Sequence, residues 1–410
     1  MQEEQLIPHL FKTEYRKLTA VLCKLFGIEH IEIAEDIVSD TFLLATETWP
    51  FKDVPPNPVA WLYTVAKNKS KDYLKRNTLF EQKVKHQLLY SGTEHEIAID
   101  FSDKNILDSQ LQMMFAVCHP SISVEAQIGL SLRILCGFGI EEIANAFLSN
   151  KETINKRLFR AKEKLKADGV KIEFPPVSEI NIRIDTVLTT LYLLFNEGYY
   201  SLSSSFALRK DLCLEAMRLT HLLTQNSYTN KPSVGSLLAL MCFHASRFEA
   251  RQNLDGEMVL YEDQDTSLWN TELITQGEYF LIRASKHKHQ SKYYFEAAIA
   301  YWHTRKTNEP KKWEYVLLLY NQLLTIEYSP MAALNRIYAL SKVDGKETAI
   351  AEAEKLEMNE SLSYHSLLGD LYMEADNSKA IMHFIQAKAL SKSDVEKKIF
   401  SAKILKCEMA

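Results

Sequence analysis

Apolar residues recur at helical spacing along most of the chain, and this periodicity constrains the fold more than any other feature of the sequence. Strand-like alternation is scarce, and the 12 glycines and 11 prolines are few for 410 residues. The sequence therefore predicts an all-α protein. Because one hydrophobic core rarely extends over such a length, two or three domains are expected.

The composition is that of a soluble globular protein, since 46% of the residues are hydrophobic and 25% are charged. No apolar run approaches the roughly 18 residues of a membrane helix, and the N-terminal residues lack a signal-peptide pattern. We therefore expect a cytoplasmic protein without membrane contact. No cofactor is predicted.

Six cysteines are spread along the chain without a CxxC motif or a repeated spacing. They are Cys23, Cys118, Cys136, Cys213, Cys242 and Cys407. This distribution predicts reduced, mostly buried thiols rather than a zinc site or a disulfide framework.

The net charge of −5 conceals two basic segments. Residues 60–85 contain seven Lys or Arg against two Asp or Glu, and residues 151–171 contain eight against three. Two compact basic segments in an otherwise acidic chain predict local contacts with a polyanion.

Capping residues and prolines mark the first boundaries. Asn57 can cap a helix and Pro58 can occupy its first position, which predicts a helix over residues 58–76 within a first domain, 1–77. The helical pattern then weakens over residues 78–105, where residues 91–94 are polar and turn-prone. This stretch is interpreted as a linker.

A second helical domain is predicted over residues 106–170, where Asp168 and Gly169 end its last helix. Prolines 175 and 176 make another boundary, and residues 178–410 are helical again. In this longer segment, six residues fall almost at the spacing of one tetratricopeptide repeat: Leu368, Gly369, Tyr372, Ala380, Phe384 and Ala387. A weaker version precedes them, so we expect stacked helical hairpins with a concave surface for a protein partner.

The sharpest functional signal is a helix-turn-helix over residues 139–166. Its apolar stripes are formed by Ile140, Ile143, Ala144 and Phe147, and by Ile154, Leu158, Ala161 and Leu165. Ser149 and Glu152 have the spacing of a capping box and predict where the second helix begins. The opposite side of that helix carries Lys151, Asn155, Lys156, Arg157, Arg160 and Lys164. Such a face can enter the major groove of duplex DNA, although a solvated face of an ordinary bundle is the alternative.

The helix predicted over residues 58–76 combines cations with aromatic rings. Lys67, Lys71 and Lys75 recur every four residues, with Asn68 next to this stripe, and the rings are Trp61, Tyr63 and Tyr73. Cations that follow a phosphate backbone, with rings on which unpaired bases stack, favour single-stranded or melted DNA over intact duplex. The alternative is that Trp61 and Leu62 are core residues and the lysines are solvated.

An acidic amphipathic helix precedes this segment. Its acidic residues are Glu29, Glu32, Glu35, Asp36, Asp40 and Glu47. Such a face is often simply solvated, but it also fits a basic protein surface.

In chain order, these segments resemble an extracytoplasmic-function sigma factor of the sigma-70 family. The resemblance lies in residues 34–42 (AEDIVSDTF), in residues 57–62 (NPVAWL) with Ala66-Lys67-Asn68 and Asp72, and in residues 107–166 with Cys118-His119-Pro120 and residues 141–144 (EEIA). Three later blocks resemble the subfamily with a long helical, tetratricopeptide-like extension: residues 191–199, 260–265 and 329–336. Residues 1–77 would then be sigma region 2, residues 106–170 region 4, and residues 178–410 the extension.

The resemblance implies a mechanism of binding without covalent chemistry. Glu35, Asp36 and Asp40 would dock on core RNA polymerase. The minus-10 element would be held and melted by Trp61, Lys67, Asn68, Lys71, Lys75 and Arg76. The minus-35 duplex would be contacted by Lys151, Asn155, Lys156, Arg157, Arg160 and Lys164. Lys67 stands where many relatives have arginine, which keeps the charge but loses the planar guanidinium.

Two other classes remain open. A one-component regulator with a helical sensor domain explains the helix-turn-helix but not the acidic and aromatic-basic helices. An enzyme in the C-terminal half could use Glu197, Glu262, Asp263 and Asp265, yet the sequence has no HExxH, P-loop or paired Glu-x-x-His motif. His287 and His289 could bind a metal, but no third ligand has suitable spacing, which favours an exposed basic loop.

Overall fold

The computed structural model describes residues 3–76, 99–147, 149–199, 209–253, 259–288, 290–306, 310–391 and 394–409. Across these ranges the chain forms α-helices with short 3₁₀ and π turns and no β-strand, which confirms the all-α prediction. Most of the predicted linker, including the turn at residues 91–94, lies outside the described residues.

The chain divides into two compact units, Met1–Lys231 and Pro232–Ala410. The first unit contains α1 (Glu3–Phe26), α2 (Ile31–Lys52), α3 (Pro58–Arg76), α4 (Asp103–Val117), α5 (Val124–Leu130) with a π turn (Ser131–Leu135), α6 (Ile140–Ala146), α7 (Lys151–Ala167), α8 (Val177–Tyr199) and α9 (Lys210–Thr224). The predicted boundary at Pro176 therefore lies inside this unit, and α8 and α9 belong with the two basic segments.

The second unit contains α10 (Pro232–Ala245), α11 (Thr271–Ser285), α12 (Lys292–His303), α13 (Pro310–Ile326), α14 (Pro330–Val343), α15 (Lys346–Glu354), α16 (Leu362–Tyr372), α17 (Asn377–Leu390) and α18 (Asp394–Met409). Each of these helices packs against the next one along the chain. The result is a series of helical hairpins.

Helix ends follow the local sequence. The side chain of Asn57 accepts a hydrogen bond from the backbone N–H of Ala60 at 3.0 Å, so α3 begins at Pro58 as predicted. At the other end of the second basic segment, Gly169 adopts a φ of 63° after α7, a left-handed conformation that glycine tolerates best. Its N–H donates to the carbonyl of Lys166 at 3.0 Å, which confirms the predicted stop.

The core of the first unit forms around α1. Leu18 and Leu22 of α1 are fully buried, as are Leu111 and Phe115 of α4. The helix α1 contacts α2, α3 and α4, so the second helical segment packs directly on the first. Burial of these apolar side chains, at about 1.5–3 kcal/mol each, is the main stabilisation of this packing.

The hairpin of α16 and α17 is close-packed. Five of the six residues at the predicted repeat spacing belong to one buried apolar cluster, and the sixth, Gly369, is also buried. A Cβ atom at Gly369 would collide with the ring of Phe384, so only glycine allows the two helices to approach this closely. The helical hairpin predicted here is therefore present.

All six cysteines are buried and none forms a disulfide, as predicted. Burial raises the pKa of the Cys118 thiol to about 11 and that of the Cys242 thiol to about 12. Within the described part of the chain, no helix combines the length and the apolar character needed to cross a bilayer.

Candidate nucleic-acid interface

The helix α3 presents the predicted cationic stripe to solvent. Its inner face carries four buried residues, Leu62, Ala66, Ser70 and Leu74. On the rest of its surface, Asn68, Lys75 and Arg76 are exposed, and Lys67 and Lys71 are half-buried. The cations and the amide therefore follow an accessible side of one straight element, as contact with a phosphate backbone requires.

The three rings of α3 also pack within the protein. Trp61 lies edge-on against Trp49 with 5.3 Å between the ring centroids. The hydroxyl of Tyr63 donates to Glu14 at 2.6 Å, and Tyr73 packs against another ring of the same domain. Burial and the hydrogen bond to Glu14 raise the pKa of Tyr63. The rings thus fix the position of α3, and only their half-exposed faces are open to a base.

The three acidic residues predicted to dock on core polymerase, Glu35, Asp36 and Asp40, lie on two different faces of α2. Asp36 and Asp40 are exposed, and Asp40 pairs with Lys69 of α3 at 3.3 Å. Glu35 is only 6% exposed because it lies on the same face as the buried Ile31 and Val38, four residues before it and three after it. The accessible acidic surface of α2 therefore contains two of the three predicted carboxylates.

The helix-turn-helix predicted from the sequence corresponds to α6 and α7. All four predicted apolar residues of α7 are buried, namely Ile154, Leu158, Ala161 and Leu165. The cap of α7 differs from the prediction: Asn150 is the N-cap and its side chain accepts from the N–H of Thr153 at 2.8 Å. The Ser149–Glu152 capping box was wrong by one residue, because Asn150 is itself a strong cap and stands one residue closer to the helix.

The outer face of α7 carries the six predicted DNA-contacting residues, and most of them already have partners. Lys151 pairs with Glu141 at 2.8 Å, Lys156 with Glu152 at 2.5 Å and Lys164 with Asp168 at 2.8 Å. The guanidinium of Arg157 lies over the ring of Phe147, 5.7 Å from its centroid.

Two residues of this face differ from the rest. Asn155 and Arg160 are exposed, and within the described ranges Arg160 forms no ion pair. Arg160 is therefore the cation of α7 that a phosphate can bind without first breaking an intramolecular contact.

Two basic side chains that no local sequence pattern indicates contact α2. Arg133, in the π turn, pairs with Glu35 through Nε at 2.7 Å, and Lys162, on the inner side of α7, reaches the other Glu35 oxygen at 3.3 Å. Lys162 also approaches Glu32 at 3.5 Å. These contacts join positions about a hundred residues or more apart, so no local pattern signals them. They link α2 to the π turn and to α7.

The acidic residues predicted as possible catalytic groups belong to two different units. Glu197 lies on α8 in the first unit, where burial raises the pKa of its carboxyl. Glu262 and Asp263 are exposed in the second unit. Asp265 accepts from the N–H of Ser267 at 2.8 Å, and hydrogen bonds from Ser267 lower the pKa of its carboxyl, so it caps a turn.

The described residues contain no group of three or more His, Cys, Asp or Glu side chains arranged to hold a metal ion. His287 is exposed, and His289 lies outside the described residues.

Tyr261, next to those acidic residues, lies in a basic and aromatic cluster of the second unit. The ammonium of Lys312 is 5.6 Å and the guanidinium of Arg247 is 5.4 Å from its ring centroid. His303 packs edge-on against the same ring at 5.4 Å. Burial, together with the charges of Arg247 and Lys312, lowers the pKa of His303 to about 3, so its imidazole is neutral at physiological pH.

Comparison with known proteins found two family matches. Residues 10–79, which span most of α1 and all of α2 and α3, match sigma-70 region 2, and this match supports a sigma factor of the sigma-70 family, a family of non-enzymatic transcription factors. Residues 183–285 match a family of unknown function, DUF6596, whose range begins in α8 and ends in α11. No solved structure matches the chain.

A relationship over most of the chain shows its family. The uncharacterized protein R00370 of Rhizobium meliloti (strain 1021) is 34% identical over 349 residues, which cover 83% of this chain and 82% of that protein. The chain belongs to the same family as this protein. Sigma-70 region 2 in turn implies interaction with core RNA polymerase and with promoter DNA.

Proposed function

We propose that the chain is an RNA polymerase sigma factor of the extracytoplasmic-function type, which binds core polymerase, recognises and melts promoter DNA and directs initiation. The observation that carries the proposal is the match to sigma-70 region 2 over helices that present acidic and cationic surfaces separately. A helix-turn-helix with an exposed cationic face follows in the same compact unit.

In this proposal each surface has one task. Asp36 and Asp40 of α2 dock on a basic surface of the polymerase, since both carboxylates are exposed. The cations of α3, with Asn68 beside them, hold the strand that separates at the minus-10 element. Arg160 and Asn155 of α7 contact the minus-35 duplex, with arginine on phosphate and asparagine near the base edges.

The second unit is the regulatory part of the proposal. Its stacked hairpins from α12 to α18 resemble a tetratricopeptide array in their sequential packing and in the close approach at Gly369. Such arrays present concave surfaces that bind protein segments. We assign this unit a protein partner rather than an enzymatic reaction.

Co-purification with core RNA polymerase tests the proposal. The wild-type chain should bind core, and the double variant Asp36→Lys/Asp40→Lys should lose most of that binding because both docking carboxylates reverse sign. A matched control, Asp344→Lys/Glu360→Lys, makes the same charge change at exposed positions of the second unit. A one-component regulator would bind duplex DNA without retaining core, and that result would refute the assignment.

A further inference from the structure

The hairpin of α8 and α9 contacts both DNA-binding halves of the first unit. From α8, the guanidinium of Arg183 donates to the carbonyl of Phe115 at 2.6 Å, at the C-terminal end of α4. Thr190 donates to the side-chain carbonyl of Gln127 at 2.9 Å in a buried hydrogen bond. Both partners belong to the segment assigned to region 4, so α8 is fixed on that segment.

The helix α9 reaches region 2 as well. The carboxylate of Glu215 pairs with Arg16 of α1 through one oxygen and with Arg218 through the other, at 2.8 Å for Arg218. Arg218 also donates to the carbonyl of Leu135, at the end of the π turn, at 2.9 Å. The side chains of Arg16 and Glu215 are only 13% and 17% exposed, so solvent screens their attraction weakly.

A second ionic contact joins the two halves directly. Glu35 of α2 is buried against Arg133 and Lys162, which come from the π turn and from α7. In this arrangement Glu35 faces away from solvent, although Asp36 and Asp40 on the same helix are exposed. The contact between the halves therefore covers one carboxylate of the helix proposed to bind polymerase.

The dimensions show that this arrangement cannot contact both promoter elements. Elements centred at minus 10 and minus 35 are 25 base pairs apart by their names, or roughly 85 Å at 3.4 Å per base pair. A compact unit of this length has a radius of gyration of about 17 Å and a diameter of roughly 45 Å. Regions 2 and 4 must therefore separate before each can contact its own element.

We infer that the α8–α9 hairpin is an intramolecular brace that holds regions 2 and 4 in a closed, non-binding state through Arg16, Glu215 and Arg218. This inference rests on the proposed function. The partner that opens the brace is a basic surface of core polymerase, which competes with Arg133 and Lys162 for Glu35. Opening exposes Glu35 beside Asp36 and allows the recognition helix to move to its own site.

A distance measurement between the two halves tests the brace. Spin labels are attached at Glu47→Cys, in the last two turns of α2, and at Glu173→Cys, after α7, both of which are exposed positions. Because all six native cysteines are buried, labelling is selective for the introduced thiols. The free chain should give one short distance, and addition of core polymerase with promoter DNA should lengthen it by roughly 40 Å.

Two variants, Arg16→Gln and Glu215→Gln, each substitute one partner of the central ion pair of the brace. Each should raise the long-distance fraction of the free, full-length chain by about threefold to tenfold, since each removes the partly buried ion pair between Arg16 and Glu215. Glu215→Gln also removes the pair with Arg218, so its effect should be the larger of the two. The control Asp370→Asn removes a comparable ion pair, with Lys403 at 2.6 Å, inside the second unit and should leave the distance unchanged.

The outcomes separate the brace from the proposed function. Lengthening in both variants but not in the control supports the brace, and distances equal to wild type in both variants overturn it. If the chain fails to bind core polymerase, the proposed function is wrong, yet the free-chain distances still decide whether the hairpin holds the two halves together.

Discussion

Arg160 provides the most specific test of DNA binding, because it is an exposed cation of the recognition helix without an intramolecular ion pair among the described residues. Lys156 and Lys164 on the same helix each pair with a carboxylate four residues away. A phosphate must displace that carboxylate before it binds either lysine, whereas Arg160 is already available. We therefore expect substitution of Arg160 to weaken promoter binding more than substitution of Lys156.

The magnitude follows from counterion release. Each neutralised phosphate contributes about 0.9 to the slope of log K against log salt concentration. Loss of one contact in Arg160→Gln therefore weakens binding about eightfold at 0.1 M monovalent salt relative to a 1 M reference. This corresponds to about 1.2 kcal/mol. For Lys156→Gln the loss is smaller by about 0.5 kcal/mol, since an exposed ion pair with Glu152 is broken on binding in the wild type.

Fluorescence anisotropy with a minus-35 duplex, titrated over about 0.05–0.3 M salt, gives both the binding affinity and its salt slope. Arg160→Gln should reduce the slope by about one unit, with little change in sequence preference. The control Lys288→Gln removes the same charge from an exposed position of the second unit. An unchanged slope in Arg160→Gln, or an equal loss in the control, would refute a phosphate contact at this position.

Three further predictions concern stability, each measured by urea unfolding of the full chain. Glu35→Gln should destabilise the first unit by about 1–3 kcal/mol, because two cations lose their carboxylate partner at a buried contact; no loss would contradict the ion-pair network. Gly369→Ala should lower the free energy of unfolding by about 1–3 kcal/mol, because the added Cβ clashes with the ring of Phe384. Gly235→Ala in α10 should instead raise it by about 0.5–1 kcal/mol, because the nearest atom to the added Cβ is 3.9 Å away. Because the folded-state pKa of His303 is depressed to about 3, its contribution to stability is present above pH 6.5 and is lost as the pH falls. The free energy of unfolding should therefore be about 2 kcal/mol lower at pH 5. His303→Gln should flatten this dependence on pH. An unchanged dependence in the variant would show that His303 is not buried in its neutral form.

Much of the fold and part of the site could be predicted from local sequence. The start of α3 follows from Asn57 and Pro58, and the end of α7 follows from Gly169, because caps act within one helical turn. The apolar stripe of α7 is buried as its spacing predicts. These features depend on a few neighbouring residues, which is why periodicity and capping rules capture them.

The remaining features depend on distant residues. Periodicity assigned Glu35 to an acidic surface, yet Arg133 and Lys162 hold it inside the unit. The brace pairs Arg16 with Glu215, which are 199 residues apart in the chain. No local propensity encodes such a pairing, and the same long-range packing places α8 and α9 in the first unit rather than with the rest of the extension.

The account depends most on the claim that α3 holds separated promoter strands while the chain is bound to core polymerase. The direct test is the affinity of the reconstituted complex for a forked promoter template against the matching intact duplex. The account predicts tighter binding to the fork, and predicts that Lys67→Gln combined with Lys71→Gln removes that preference while binding to core is unchanged. Equal affinity for fork and duplex in the wild-type complex would contradict it.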